Sequence, residues 1–257
     1  MNFNRYFRYN PDKELFVVFA SLIACVLANI AANLFSRSLY YLFYQVIFGL
    51  GICISFPLVY VRIIKKEPLE SIGLTAKGWL KALFIAGLLV AISLPGQLIN
   101  KDISFPPVSR LTYICTALIM STMFEELFFR GFLQTRFEKA FGIVPAVLLS
   151  GIAFALYHLG YPKFRTMELI ITMCLVGTYF AVAFRLTNNV ITSFTVNLPH
   201  AVVTYLLRPQ AFPDFNRRTA LVSLPVIVVA VAIIILAKIK EQHTTSPAPL
   251  TCKEEIQ

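Results

Sequence analysis

The chain has 257 residues, of which 58% are hydrophobic and only 14% charged, against about 25% charged in an average soluble domain. That composition excludes an ordinary soluble enzyme and a disordered chain. The formal charge is +10, yet no basic run is interleaved with aromatic side chains, so nucleic acid is excluded as a partner.

In chain order, apolar segments fall at residues 15–35, 39–61, 79–99, 111–133, 142–159, 167–184, 190–207 and 220–237. Each is near the roughly 20 residues that a membrane-spanning helix needs. Alternation long enough for a barrel strand is absent, and in lipid a helix satisfies its backbone polar groups within its own segment. The expected fold is therefore all-α, a polytopic bundle of about eight transmembrane helices. It forms one domain over residues 1–240, followed by a polar, disordered cytoplasmic tail over 241–257. The first segment follows Arg5, Arg8 and Lys13, lacks a cleavage signal and reads as a retained span. With eight spans, fifteen basic residues fall on the side of both termini and eight on the other, which places the termini in the cytoplasm of a cell-membrane protein. The basic stretch from Arg62 to Lys81 then lies along the anionic inner leaflet. Tyr40, Tyr41 and Trp79 fit interfacial belts, and Gly49, Gly51, Gly87 and Gly96 fit helix contacts. Four of the five cysteines lie in apolar runs and none forms a CxxC pair, so neither a disulfide framework nor a cysteine zinc site is indicated.

Strongly polar side chains inside the spans are few. Glu125 and Glu126 interrupt the fourth segment in MFEELFFR, residues 123–130. A carboxylate at mid-membrane costs about 2.5–3.5 kcal/mol on insertion scales, so two adjacent ones call for a function. Adjacent helical residues point about 100° apart. Glu126 and Arg130, four apart, share a face and suit an ion pair, which leaves Glu125 pointing elsewhere. His158 closes the fifth segment in FALYHLG, residues 154–160. Glu125 and His158 each lie about sixteen residues from the turn at Phe141-Gly142, so an antiparallel hairpin brings both to one depth, about 24 Å from that turn. The seventh segment adds Asn197 and His200, three apart and on one face, with Pro199 between them to open the helix locally.

A carboxylate, one or two imidazoles, an amide and a paired second carboxylate are the inventory for activating water against a carbonyl. Glu125 serves as base, the imidazoles hold a metal or the water, and Asn197 is the best donor to an oxyanion. Intramembrane Glu and His also suit a proton-coupled transporter.

The pattern Glu125-Glu126-x-x-x-Arg130-Gly131, followed by Phe154-x-x-x-His158, resembles the CPBP family of intramembrane proteases, also called ABI, relatives of the type II CAAX prenyl protease. The resemblance covers the catalytic core, residues 111–207. It implies a glutamate-dependent metallo-endopeptidase acting on a peptide or membrane-protein substrate. Under it, Glu125 activates water, Glu126 is held by Arg130, and Zn2+ is a possible cofactor with His158, Glu125 and His200 as ligands. The third family motif is commonly His-x-x-x-Asn or His-x-x-x-Asp. Here Asn197 stands at the His position and Ala201 at the Asn position, with His200 displaced. Either His200 substitutes from the next turn, or His158 serves alone. An inactive scaffold or a bacteriocin self-immunity protein of the same fold is the alternative.

Overall fold

The computed structural model describes residues 3–34, 37–99, 105–207 and 215–245. Phe3, Arg37 and Ser38 and residues 242–245 are described in backbone alone. The predicted basic positions Lys101, Arg208 and Lys253, and the end of the polar tail, lie outside the described residues. Among the described residues every regular element is helical.

Among the described residues eight long helices follow one another: α1 Lys13–Leu34, α2 Leu39–Ile64, α3 Trp79–Leu98, α4 Val108–Phe141, α5 Ile143–His158, α6 Met167–Thr187, α7 Val190–Leu207 and α8 Arg217–Thr245. Seven are long and apolar enough to cross a bilayer, and the chain is a multi-pass membrane protein. The fifth predicted segment is the exception. Helix α5 has 16 residues, which rise about 24 Å against a hydrocarbon core of about 30 Å. Its partner α4 compensates in the other direction, running 34 residues, more than one crossing requires. Helix α8 continues through residues 241–245, where a disordered tail was expected. Its Glu241 accepts a hydrogen bond from the backbone N–H of Leu69 at 2.9 Å and ties the helix end to the loop after α2.

The chain reverses between α4 and α5 at Gly142, with φ at +85°. A side chain there would meet the backbone of Tyr6 and Phe7, so only glycine combines this dihedral with this crowding. The close helix contacts are not all those expected. Gly49 on α2 accepts the ring of Phe124 on α4, and Gly151 on α5 meets Gly177 and Thr178 on α6. Gly87 and Gly96 have nothing near them because α3 lies at the edge of the bundle, with few of its residues buried. The buried aromatic side chains Phe48, Phe124, Phe128, Phe129, Phe132, Phe154 and Tyr157 fill the space between α2, α4 and α5. Trp79 is half exposed, as an interfacial residue would be. Tyr41 instead is buried and bonds Thr219 on α8 at 2.9 Å, and Tyr40 stacks on Tyr44 with ring centroids 5.3 Å apart.

Basic and acidic residues gather at one end of the bundle. Arg136, near the end of α4, lies 3.3 Å from Glu14 on α1 and 2.7 Å from Glu67 in the loop after α2. Lys139 lies 2.6 Å from Glu67, Lys65 lies 3.8 Å from Glu14, and Arg185 lies 3.3 Å from Glu138. These ion pairs tie together, at one end, residues that the span parity assigned to one side.

Candidate active site

Helix α4 changes character where the carboxylates sit. It is α-helical from Val108 to Glu125 and π-helical over the nine residues Glu126–Gln134, then α-helical again to Phe141. Widened turns of this kind are frequent at functional sites because they re-aim side chains.

Glu126 and Arg130 are both wholly buried, with Arg130 Nε 3.6 Å from Glu126 Oε2. That separation is an ion pair rather than a hydrogen bond. The guanidinium is held further by Ser150 on α5, whose Oγ accepts from Nη1 at 2.6 Å and whose backbone oxygen accepts at 3.3 Å. It also lies 5.0 Å from the centroid of the Phe154 ring. Ser150 Oγ in turn donates to the backbone oxygen of Phe129 at 3.1 Å. An apolar segment with one buried serine opposite an arginine carries this signal in the sequence, although its partner cannot be named without the fold.

Asn197 on α7 links the two carboxylates. Its Nδ2 donates to Glu126 Oε1 at 2.7 Å and to Glu125 Oε2 at 3.3 Å. The expected divergence of Glu125 and Glu126 therefore holds only in part: one amide reaches both. Beyond that contact they part. Glu125 lines a cavity of about 80 Å³, shared with His158, Asn197, His200, Tyr44 and Tyr161, while Glu126 and Arg130 stay in the protein behind it. The volume accommodates a few water molecules. Both N–H groups of Asn197, the expected oxyanion donor, are directed at carboxylates.

The two imidazoles differ. His158 Nδ1 lies 2.8 Å from the backbone oxygen of Phe154. A carbonyl only accepts, so Nδ1 carries the proton and Nε2 is left with a lone pair at the cavity wall. His200 Nδ1 likewise donates to the backbone oxygen of Val196 at 3.0 Å. Its Nε2, however, lies 3.0 Å from the hydroxyl of Ser93 on α3, whose single proton also has the backbone oxygen of Leu89 within reach at 2.7 Å. Ser93 Oγ also lies 3.0 Å from the hydroxyl of Tyr179 on α6. Ser93, Tyr44 and Tyr161 were not singled out from the sequence, because a serine or tyrosine in a membrane span has many uses until its neighbours are known. Pro199 was expected to open α7, but the helix runs through it unbroken. Loss of one backbone donor is tolerated where neighbouring helices pack around the gap.

Entry of α7 into the bundle is fixed at its start. Asn188 adopts the left-handed conformation that ends α6, with φ at +52°. The next residue, Asn189, accepts from Ile191 N through Oδ1 at 2.9 Å and donates to the backbone oxygen of Thr75 at 3.1 Å. This cap sets the register that carries Asn197 and His200 to the cavity.

A zinc ion was one expected cofactor, on His158, Glu125 and His200. The donor set as arranged does not fit it. Among the described residues no three His, Cys, Asp or Glu side chains gather to hold a metal, and the His200 nitrogen that would face an ion is engaged by Ser93.

No curated protein and no solved structure matches the chain. The segment that holds Glu125, Glu126, Arg130, His158, Asn197 and His200 does match a family model: residues 107–205 fit the Rce1-like family, described as type II CAAX prenyl endopeptidase Rce1-like, in keeping with the CPBP family that the two motifs resemble.

Proposed function

We propose that this protein is an intramembrane endopeptidase in which Glu125, without a metal, activates water against a peptide carbonyl. The observation that carries the reading is the unequal treatment of the two carboxylates. Glu126 has Arg130 and Asn197, whereas Glu125 has a long bond from Asn197 and a contact from the Tyr157 hydroxyl, has no cation against it, and faces the cavity.

In this mechanism a water in the cavity donates to Glu125 and to the lone pair on His158 Nε2. As its oxygen bonds to the carbonyl carbon, Glu125 takes the proton and the carbonyl π electrons move to oxygen. When the tetrahedral intermediate collapses, those electrons return and the carbon–nitrogen bond breaks. The leaving amine takes the proton from Glu125, which restores the base. Asn197 holds the two carboxylates in register, and the Glu126–Arg130 pair keeps the second charge out of the reaction. His158 serves alone, with His200 braced by Ser93 at the cavity edge.

A peptide substrate enters the cavity between the helices that line it. The substrate class is the end of a peptide or membrane-associated protein, prenylated or not. Both termini face the cytoplasm; reporter fusions scoring on opposite sides would overturn that orientation. A scaffold or immunity protein would have no use for an unpaired carboxylate at a cavity, and a transporter would need a polar path to both faces.

The test uses purified protein in lipid nanodiscs. The probes are an internally quenched peptide ending in a farnesyl-cysteine CAAX sequence and the same peptide with a free cysteine. Cleavage by wild type that Glu125→Gln abolishes supports the reading. Equal cleavage by both proteins overturns Glu125 as the base, and cleavage by neither overturns the reading in favour of the scaffold.

A further inference from the structure

Three tyrosine hydroxyls form a chain beside the cavity. The Tyr44 hydroxyl lies 2.9 Å from that of Tyr157, which lies 3.2 Å from that of Tyr161. Tyr157 is wholly buried next to His158, and their rings meet edge-on with centroids 4.8 Å apart. Tyr44 lines the cavity with Glu125 and His158 but comes from α2, outside the segment 107–205. Its ring is fixed in place, stacked on Tyr40 at 5.3 Å and on Phe48 at 5.1 Å, and Phe48 stacks on Tyr157 at 5.2 Å. A donor held this rigidly loses little entropy when it engages a ligand.

The hydrolysis proposed above needs a hydrogen-bond donor where negative charge develops on the carbonyl oxygen. Asn197 has directed both its N–H groups at carboxylates. The histidines carry their protons on Nδ1, bonded to backbone oxygens. Tyr44 and Tyr161, the two ends of the hydrogen-bonded chain, both line the cavity, and Tyr44 is the end whose ring is stacked between Tyr40 and Phe48. Either hydroxyl of each pair can be the donor; in the order Tyr161 to Tyr157 to Tyr44, the Tyr44 proton is turned outward. Each bond in such a chain polarises the next and strengthens the terminal donor.

We propose that the Tyr44 hydroxyl, ordered through Tyr157 and Tyr161, donates the hydrogen bond that stabilises the tetrahedral oxyanion of the substrate. The proposal rests on the hydrolase reading and adds a catalytic residue to it. The hydroxyl keeps its proton throughout, and the oxyanion returns its electron pair to carbon as the amine leaves. Tyr44→Phe retains the stacked ring and removes the donor alone.

The experiment measures kcat and KM for the two quenched peptides in nanodiscs, with wild type, Glu125→Gln, Tyr44→Phe, Tyr157→Phe and the Tyr44→Phe/Tyr157→Phe double variant. Each protein's abundance and melting temperature are recorded alongside. Removing one oxyanion donor lowers kcat by about 10²–10³-fold, so Tyr44→Phe is expected to lose that much with KM unchanged. Tyr157→Phe is expected to lose less. The double variant is expected to fall no further than Tyr44→Phe, because Tyr157 acts through Tyr44. A purely structural role would lower melting temperature and the active fraction and would leave the two substitutions additive. If Glu125→Gln abolishes cleavage while Tyr44→Phe keeps the wild-type kcat, or if the two tyrosine effects add, the proposal is overturned and the glutamate reading stands. If cleavage does not depend on Glu125, the hydrolase reading itself is overturned, and the proposal with it.

Discussion

Two clusters in this protein are built from the same parts, two glutamates and a buried arginine, and they are resolved differently. At the bundle end, Glu14 and Glu67 face Arg136 between them, and Lys65 and Lys139 add two more positive charges. Every acid there has at least two bases. At the centre, Glu125 and Glu126 share a single arginine and one asparagine amide, and Arg130 lies against Glu126. Charge is matched at the end and left in excess in the middle, and the excess falls on the carboxylate that lines a cavity. A matched cluster holds helices together; an unmatched one stores reactivity, because a carboxylate without a counter-ion in a dry site is available as a base.

Substitution at the excess carboxylate should have the largest effect on activity. Glu125→Gln keeps the shape and removes the base, so cleavage in nanodiscs is expected to fall about 10²–10⁴-fold. It removes an uncompensated buried charge, so melting temperature should hold or rise. A fall in stability comparable to the fall in activity would erase the distinction between the clusters.

Arg130→Ala should invert that pattern. It leaves Glu126 buried without a counter-ion, which costs about 3–5 kcal/mol. Abundance in membranes is expected to drop sharply, with activity falling alongside. Adding Glu126→Gln should restore much of the abundance, because the orphaned charge is gone. No recovery in the double variant would mean that Arg130 acts through Ser150 and Phe154 rather than through Glu126.

The end cluster should yield a smaller effect, and on stability alone. Glu67→Gln weakens partly exposed ion pairs, typically about 0.2–1 kcal/mol, with activity per molecule unchanged. Its pH dependence can be signed. Burial by itself raises the Glu67 carboxyl, but hydrogen bonds from Lys139 and Arg136, and their charges, outweigh it and hold the group below the ordinary carboxylate range. The stabilisation is thus fully present above the unfolded carboxylate value of about 4.3 and is lost as pH falls through the lower folded value. Melting temperatures measured from pH 7 downward should show wild type converging on Glu67→Gln in acid. A gap that persists below both values would show that Glu67 acts by packing.

The smallest expected effect is that of metal removal. With the donor set found here, chelation should leave cleavage unchanged. Stoichiometric zinc in purified protein, together with loss of activity on chelation, would mean that His200 leaves Ser93 and that the centre is matched by a metal after all.

The sequence by itself determined the fold class, since long apolar runs in lipid must close their hydrogen bonds within helices. It also determined which side chains could not be there by accident: Glu125, Glu126, Arg130, His158, Asn197 and His200 are costly in a membrane span, and a costly residue is visible without neighbours. The pairing of Glu126 with Arg130 followed from helical periodicity, and the expectation that Glu125 and His158, which line one cavity, lie at one depth followed from their equal distance to Gly142. Only the tertiary structure decided what the cheap residues do. Ser93, Ser150 and Tyr44 are ordinary in a span until α3, α5 and α2 bring them against His200, Arg130 and the cavity. Only the tertiary structure decided, too, that Asn197 spends its amide on two carboxylates, and that α5 stops short of a full crossing. A side chain's presence is fixed by its own sequence position, but its role is fixed by the partner across the helix interface. In this bundle those partners lie far away along the chain.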